Sequence, residues 1–425
     1  MPKDKICTIP WNELAIMQNG DYGICCQCIF HSSGRLITDK KTENILKTDI
    51  ETVRNHPSYV ELRRSMLAGE ESPLCKLCWD DEKLGLVSKR MSQKNCYPDL
   101  YEKITNSTDR TGRIDAKEFP LNYLDLRLGN LCNLKCRSCG PVDSSLWIED
   151  TYETGQKTFK ILNNHYEIEL KGNSYKIKSE DFQYYNSDNF EKELSKVIDK
   201  IDRIYFTGGE PLINKKHYDI LDLCINLGLA KNIVLEYNTN GTTLYKNLLN
   251  QWNHFKSVNL CFSIDGMNEL AHYIRYPSKW ETIEQNLLLI DNSELKNLSC
   301  NTNMVINIFN IKHFPEILTW FYEQGFKKFP PFLNWRRMIG PAELTVQVLP
   351  LSTKKEITEL YVDFIAKSNI PNIESHIWPL IDFMNEKDRS FLLPLAKKKV
   401  KQIDRVRNQN IKDYVPWLSD LFDKI

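Results

Sequence analysis

The stretch GNLCNLKCRSCG, residues 129–140, places Cys132, Cys136 and Cys139 three and two residues apart between two glycines. In a reducing compartment a disulfide framework does not persist, so thiols clustered this way are metal ligands or redox groups. Three readings are open. A structural zinc site takes four protein ligands, and no Cys or His at zinc-finger spacing follows Cys139, so zinc would need a remote fourth ligand. A loop of free thiols would be an oxidation liability. A cubane iron–sulfur cluster on three thiolates would leave one iron open to a substrate or cofactor.

A second group comprises Cys7, Cys25, Cys26, Cys28, Cys75 and Cys78, the last two as a CxxC. Four of these thiols could hold structural zinc or a second cluster. A thioredoxin-like redox CxxC fits less well, because no βαβ pattern surrounds it. Cys96, Cys224, Cys261 and Cys300 stand alone, and an isolated thiol reads first as a small buried hydrophobe.

Composition limits the setting. The chain has 425 residues, 41% hydrophobic and 26% charged, as expected of a globular protein of one large domain or two to three smaller ones. Lys+Arg and Asp+Glu balance at 56 each, so bulk charge points to neither nucleic acid nor an acidic membrane. The opening MPKDKICTIPW lacks a signal-peptide core, and no run reaches the roughly 18 apolar residues of a membrane span. A cytoplasmic protein without membrane contact is expected.

The elements that must hold these groups show in the periodicity. Residues 1–118 are turn-rich and weakly periodic, as a metal-stapled α+β module would be. From NYLDLRLGN onward, strand candidates at 122–128, 203–207, 232–239, 257–265, 299–309 and 328–335 alternate with amphipathic segments such as KKHYDILDLCINLG. Repeated strand–helix alternation predicts a parallel sheet over 119–340, either a partial (β/α)6 barrel or an open doubly wound sheet. In YLDLRLG, Leu124, Leu126 and Leu128 alternate with Asp125 and Arg127; charges facing a barrel interior need a ligand or each other. The cysteine loop follows that strand directly, where β/α barrels carry their chemistry. Residues 152–190 read as a hairpin insertion, and 341–425 as a mainly helical extension.

CxxxCxxC after a first strand resembles the radical S-adenosylmethionine (SAM) superfamily, and the likeness continues through FTGGEPL (206–212), YNTNGTTL (237–244), SIDG (263–266), HYIRYP around Arg275 and VINIFNI (305–311). It covers roughly 120–335. The resemblance implies a partial β/α barrel of the TIM-like kind. Cys132, Cys136 and Cys139 would hold a [4Fe-4S] cluster whose open iron binds SAM. Gly208, Gly209 and Glu210 would meet the SAM amino group, Ser263, Asp265 and Asn240 the ribose, and Arg275 the carboxylate. The family commonly has an aromatic residue before the last cysteine, near the adenine; Ser138 stands there, leaving only its backbone for the base.

The amino-terminal PW, NG and CC landmarks resemble a twitch module, a shortened SPASM-type domain holding an auxiliary [4Fe-4S] cluster, here preceding the barrel instead of following it. By that resemblance Cys7, Cys25, Cys75 and Cys78 are the ligands, with Cys26 and Cys28 as alternates. The likeness implies an electron donor such as flavodoxin or ferredoxin, and a peptide or protein substrate. A small alcohol or sugar is the second reading, and a plain iron–sulfur electron-transfer protein the non-enzymatic one. Cys261 shares a strand face with Ser263 and reads either as a lumenal hydrogen donor or as a packed thiol. Tyr237, Trp335, Arg336 and Arg337 are further lumen or rim candidates.

Overall fold

Alternation within the strands decides which way the sheet faces. The computed structural model describes residues 5–28, 34–107 and 109–425. Its main sheet has eight strands in the order β13-β12-β11-β10-β9-β5-β1-β2. These are β1 (Glu13–Ile16), β2 (Tyr22–Gly23), β5 (Tyr123–Arg127), β9 (Arg203–Thr207), β10 (Val234–Thr239), β11 (Ser257–Ser263), β12 (Leu298–Ile306) and β13 (Asn334–Arg337). Every neighbouring pair is parallel except β1 with β2. Two small antiparallel sheets stand apart: β3 (Ile37–Thr38) with β4 (Lys41–Thr42), and β6 (Thr158–Ile161), β7 (Asn164–Lys171) and β8 (Ser174–Ile177).

A parallel sheet covered by helices on both faces has apolar residues on both. Here only one face does. Ile204, Phe206, Leu235, Tyr237, Val258, Leu260, Phe262, Met304 and Ile306 are buried in the main core. The opposite face carries Asp125, Arg127, Tyr205, Glu236, Asn238, Asn259, Cys261, Ser263, Asn301 and Asn303. The register aligns Asn238, Cys261 and Asn301 across three strands. The polar face lacks the apolar residues that a second helical layer would pack against. Tyr237 therefore lies on the core side, bonded to His217 at 2.8 Å and to the Trp252 indole at 3.2 Å.

The last expected strand is shifted. The run 328–335 begins only at Asn334, because Pro330 and Pro331 have no N–H to donate to a ladder. The insertion at 152–190 is a three-stranded meander, β6–β8, closed over its own small core of Ile161, Tyr166 and Phe182. The carboxyl-terminal extension is helical, with long helices at Leu351–Lys367, Ile373–Glu386 and Leu393–Arg407.

The cysteine-rich segment does not stand apart. Its β1 continues the sheet beside β5, pairing Glu13 with Tyr123 and Ala15 with Asp125. At the other edge, Arg337 of β13 donates to Asp81 at 2.5 and 3.0 Å and to the Leu77 carbonyl at 3.2 Å, on the helix Lys76–Lys83. One module thus meets both ends of the sheet. It is braced by two buried arginines that donate to carbonyls instead of carboxylates. Arg54 reaches Trp11 and Phe119, and Arg63 reaches Pro10, Gly112 and Arg54 at 2.6–3.0 Å.

Arg63 is 1% exposed. Arg63→Met keeps the bulk and strands three buried carbonyls, each costing about 1–3 kcal/mol. A loss of about 3 kcal/mol or more is expected, read as a lower thermal midpoint of the anaerobically purified protein; an unchanged midpoint would show that the bracing is dispensable.

Candidate functional site

Three loops leave the carboxyl ends of β5, β9 and β10 and lock onto one another. The GGEP loop lies directly on the cysteine loop: the Glu210 N–H donates to the Leu131 carbonyl at 2.8 Å. That approach demands glycine. A Cβ on Gly209 would stand 2.1 Å from the Leu131 oxygen, and Gly208 has φ +115°, which disfavours any side chain. The NTNG turn is tied to both. The Glu210 carboxylate accepts from the Asn240 N–H at 2.7 Å, Thr239 Oγ1 at 2.8 Å and the Leu212 N–H at 3.1 Å. Asn240 Nδ2 donates to Asn133 Oδ1 at 2.8 Å, inside the cysteine loop. Burial pushes the Glu210 carboxyl up to about 7, against those hydrogen bonds. A cation placed beside it would hold it ionised.

The loop after β11 closes the ring. The backbone N–H groups of Lys135 and Arg137 donate to the carbonyls of Tyr276 and Ile274 at 2.7 and 2.8 Å, so the cysteine loop is laced to the segment carrying Arg275. Arg275 is ion-paired with Asp265 at 2.7 Å, both nearly solvent-free, and points Nη1 at Cys136 Sγ, 3.7 Å away. Asp265 also accepts from the Val305 N–H at 2.7 Å. Ser263 ends β11 opposite Asn303, and Ser138 lies half-buried within the loop.

The three thiols of the loop are gathered. Cys136 and Cys139 are hydrogen-bonded, and the charge of Cys132 helps to raise the Cys139 thiol. The bond from Cys139 brings the Cys136 thiol down to about 7, with help from Arg275 and Arg407 and against burial. Burial pushes Cys132 up to about 12. Among the described residues no three His, Cys, Asp or Glu side chains close on one point as around a single ion.

The amino-terminal thiols form a second group. Cys7, Cys25, Cys28, Cys75 and Cys78 line one small cavity walled by Ile9, Ile24, Leu62 and Met66. Cys25 and Cys28 are 3.3 Å apart. Cys75 stands at the N-cap of the helix Lys76–Lys83 and Cys78 in its first turn, where burial pushes the Cys78 thiol up to about 12. Cys28, an alternate in the sequence reading, joins this cavity. Cys26 does not. Its charge interacts with Lys89, Asp125, Glu13, Arg127 and Tyr205, on the polar side of the sheet.

That polar side holds more than the sequence disclosed. Lys89 donates to Tyr123 Oη at 3.0 Å, and Tyr123 to Glu236 at 2.9 Å. Glu13 is 3% exposed with Oε2 unpartnered, and burial raises its carboxyl well above the usual range. Asp125 and Arg127 pair with each other at 3.4 Å. Cys261 is buried, and burial pushes its thiol up to about 12, so it keeps its hydrogen. Arg337, expected at the rim, is engaged with Asp81, and the buried Trp335 donates to the His376 carbonyl at 2.9 Å. The alternation in ELAI gave a faint signal for Glu13; nothing in the sequence pointed to Lys89.

Residues 126–321 match the radical SAM superfamily, and residues 7–79 match the iron–sulfur cluster-binding SPASM domain. The chain therefore carries a radical SAM domain preceded by a SPASM domain, and with them a SAM-binding [4Fe-4S] cluster, an auxiliary cluster and SAM as cofactors. The two thiol groups fit: each offers soft sulfur donors in a largely buried setting, three at the first and five at the second. No curated protein matches the chain. Similar solved structures include native anSMEcpe with bound AdoMet and Cp18Cys peptide, at 15% identity over 59% of this chain and 62% of that one, TM-score 0.33. Another is Streptococcus suis SuiB bound to precursor peptide SuiA, at 12% identity over 77% and 66%, TM-score 0.36. The chain spans under two thirds of the length of each. Among the described residues no helix is long and apolar enough to cross a membrane.

Gly209→Ala should leave the sheet intact and push the GGEP loop off the cysteine loop. SAM affinity should fall at least tenfold, about 1.4 kcal/mol, by equilibrium dialysis of the reconstituted protein; unaltered affinity would mean that this loop contact does not shape the SAM site.

Proposed function

We propose that the chain is a radical SAM enzyme acting on a peptide or protein side chain, with the auxiliary cluster assisting an oxidation. The observation that most supports this is the convergence of the GGEP, NTNG and Asp265–Arg275 segments on the three-cysteine loop, at the carboxyl ends of parallel strands. Cys132, Cys136 and Cys139 are the proposed ligands of the first cluster. The auxiliary ligands are Cys7, Cys75 and Cys78 with Cys25, beside which Cys28 is the fifth thiol. A cluster held there would supply the electron for reductive cleavage of SAM to methionine and a 5′-deoxyadenosyl radical able to take a hydrogen atom from substrate.

The protein's own residues do the rest. Gly208 and Gly209 let backbone approach SAM, and Glu210 meets its amino group. Asn240, Ser263 and Asp265 face the ribose, Ser138 the base, and Arg275 the carboxylate, within reach of Cys136. In this reading the sheet is a partial barrel. Its polar interior receives the substrate between the two thiol groups, and Cys261 stands on that wall between Asn238 and Asn301 as the candidate hydrogen donor. One-electron reduction comes from a donor such as flavodoxin or ferredoxin. The asparagine-rich wall also favours a second reading, dehydrogenation of a small hydroxyl-bearing molecule, because amides satisfy hydroxyl groups in either sense.

Cys132→Ala should abolish 5′-deoxyadenosine formation from SAM and dithionite and remove about one cluster's worth of iron. Retained cleavage would sink the assignment. Cys75→Ala should keep some uncoupled SAM cleavage while losing iron; iron equal to the wild type would remove Cys75 from the auxiliary set.

A further inference from the structure

The carboxyl-terminal extension ends its helix Leu393–Arg407 on a cation with nowhere obvious to go. The Arg407 side chain is 0% exposed. Its Nε donates to Asp150 Oδ2 at 2.7 Å, yet Nη1 and Nη2 are both buried without a partner. Asp150 is shared: its other oxygen takes Lys135 Nζ at 2.6 Å. Lys135 also pairs with Glu149 at 2.9 Å, so formal charge balances here, and what Arg407 lacks is acceptors for its two terminal nitrogens.

The surroundings say where that charge points. The guanidinium carbon lies 5.0 Å from the Trp147 ring centre and 5.4 Å from that of Tyr276. Trp147 Nε1 donates to the Cys136 carbonyl at 2.8 Å, and the Tyr276 carbonyl accepts from the Lys135 N–H. Trp147 through its ring, and Tyr276 through its backbone, therefore also hold the segment bearing Cys136. The charge of Arg407 is felt at Cys136 and that of Cys136 at Arg407. Arg275 approaches Cys136 from the side of Asp265. Two arginines, each on a buried aspartate, thus lie on the Cys136 side of the loop.

We propose that Arg407, a buried cation separated from the Cys136 segment by the Trp147 ring, is a positioning residue whose charge holds up the reduction potential of the SAM-binding cluster. Nearby positive charge stabilises the more negative, reduced state. The extension is then part of the redox centre. This inference rests on the proposal that Cys132, Cys136 and Cys139 hold that cluster.

The test is an EPR-monitored redox titration of the reconstituted full chain, following the reduced-cluster signal that changes on adding SAM. Arg407→Gln should keep its iron and shift the midpoint negative, with about tenfold less reduced cluster at a given potential, equivalent to ~59 mV for one electron. Arg407→Lys should fall between. Asp150→Asn, which removes the opposing charge and leaves Arg407 in place, should shift the midpoint positive, so the proposal survives a glutamine variant that loses its iron. An unmoved midpoint in an iron-replete Arg407→Gln protein, or shifts of the same sign in the glutamine and asparagine variants, would overturn it. Full iron in Cys136→Ala would instead overturn the ligand assignment beneath it.

Discussion

The site depends on a backbone contact that leaves no room for a side chain. Gly209 lies against the Leu131 carbonyl so closely that a Cβ would stand 2.1 Å from its oxygen, and the next residue donates its N–H to that same oxygen. This holds the loops after β5 and β9 in a single relation. Glu210 then extends the lock to the end of β10 and its loop through two accepted hydrogen bonds, from Thr239 and Asn240. Each link is ordinary. Their joint effect is a rigid floor under three thiols, where a few tenths of an ångström decide whether sulfur atoms can share one cluster.

The amino-terminal module meets the same need at larger scale. A six-stranded parallel sheet has two unpaired edges, and an edge is a liability unless it is covered. Here β1 pairs with one edge, while the helix carrying Cys78 accepts Arg337 from the other. Covering the edges also brings Glu13, Cys26 and Lys89 to the polar face, beside Asp125 and Tyr205. Adjacent cysteines divide the labour: Cys25 lines the apolar cavity, whereas Cys26 lies on the polar side.

The legible part of the sequence was the local part. The strand–helix alternation, the cysteine spacing and the GGEP and NTNG turns are short-range patterns, and five of the six strands lie where the periodicity puts them. The sixth was misplaced because apolar Phe329 and Phe332 outweighed the two prolines between them. What could not be read was long-range pairing. Lys89 sits in KRMSQKNC, which looks like a solvated helix, and burial at Tyr123 and Glu236 comes only from how the module docks. Arg407 sits in the basic run KKKVKQIDRVR, whose bland reading is a solvated face; one charge of that run is buried because the helix ends against Trp147.

Buried charge sorts itself by purpose in this fold. Arg54 and Arg63 direct their hydrogen bonds to backbone carbonyls of several segments, and their role is bracing. Arg137 is likewise occupied, by the Tyr273 carbonyl, Asp404 and Gln409. Arg275 and Arg407 differ: Arg275 Nη1 points at Cys136 Sγ, 3.7 Å away, and Arg407 keeps Nη1 and Nη2 buried without a partner. Leaving a buried cation incompletely paired is costly unless an anion completes it. Of the groups near both arginines, the three-thiolate site is the one whose bound form supplies that negative charge. The placement of the two arginines is therefore an argument for what the cysteines hold, independent of the cysteine spacing itself.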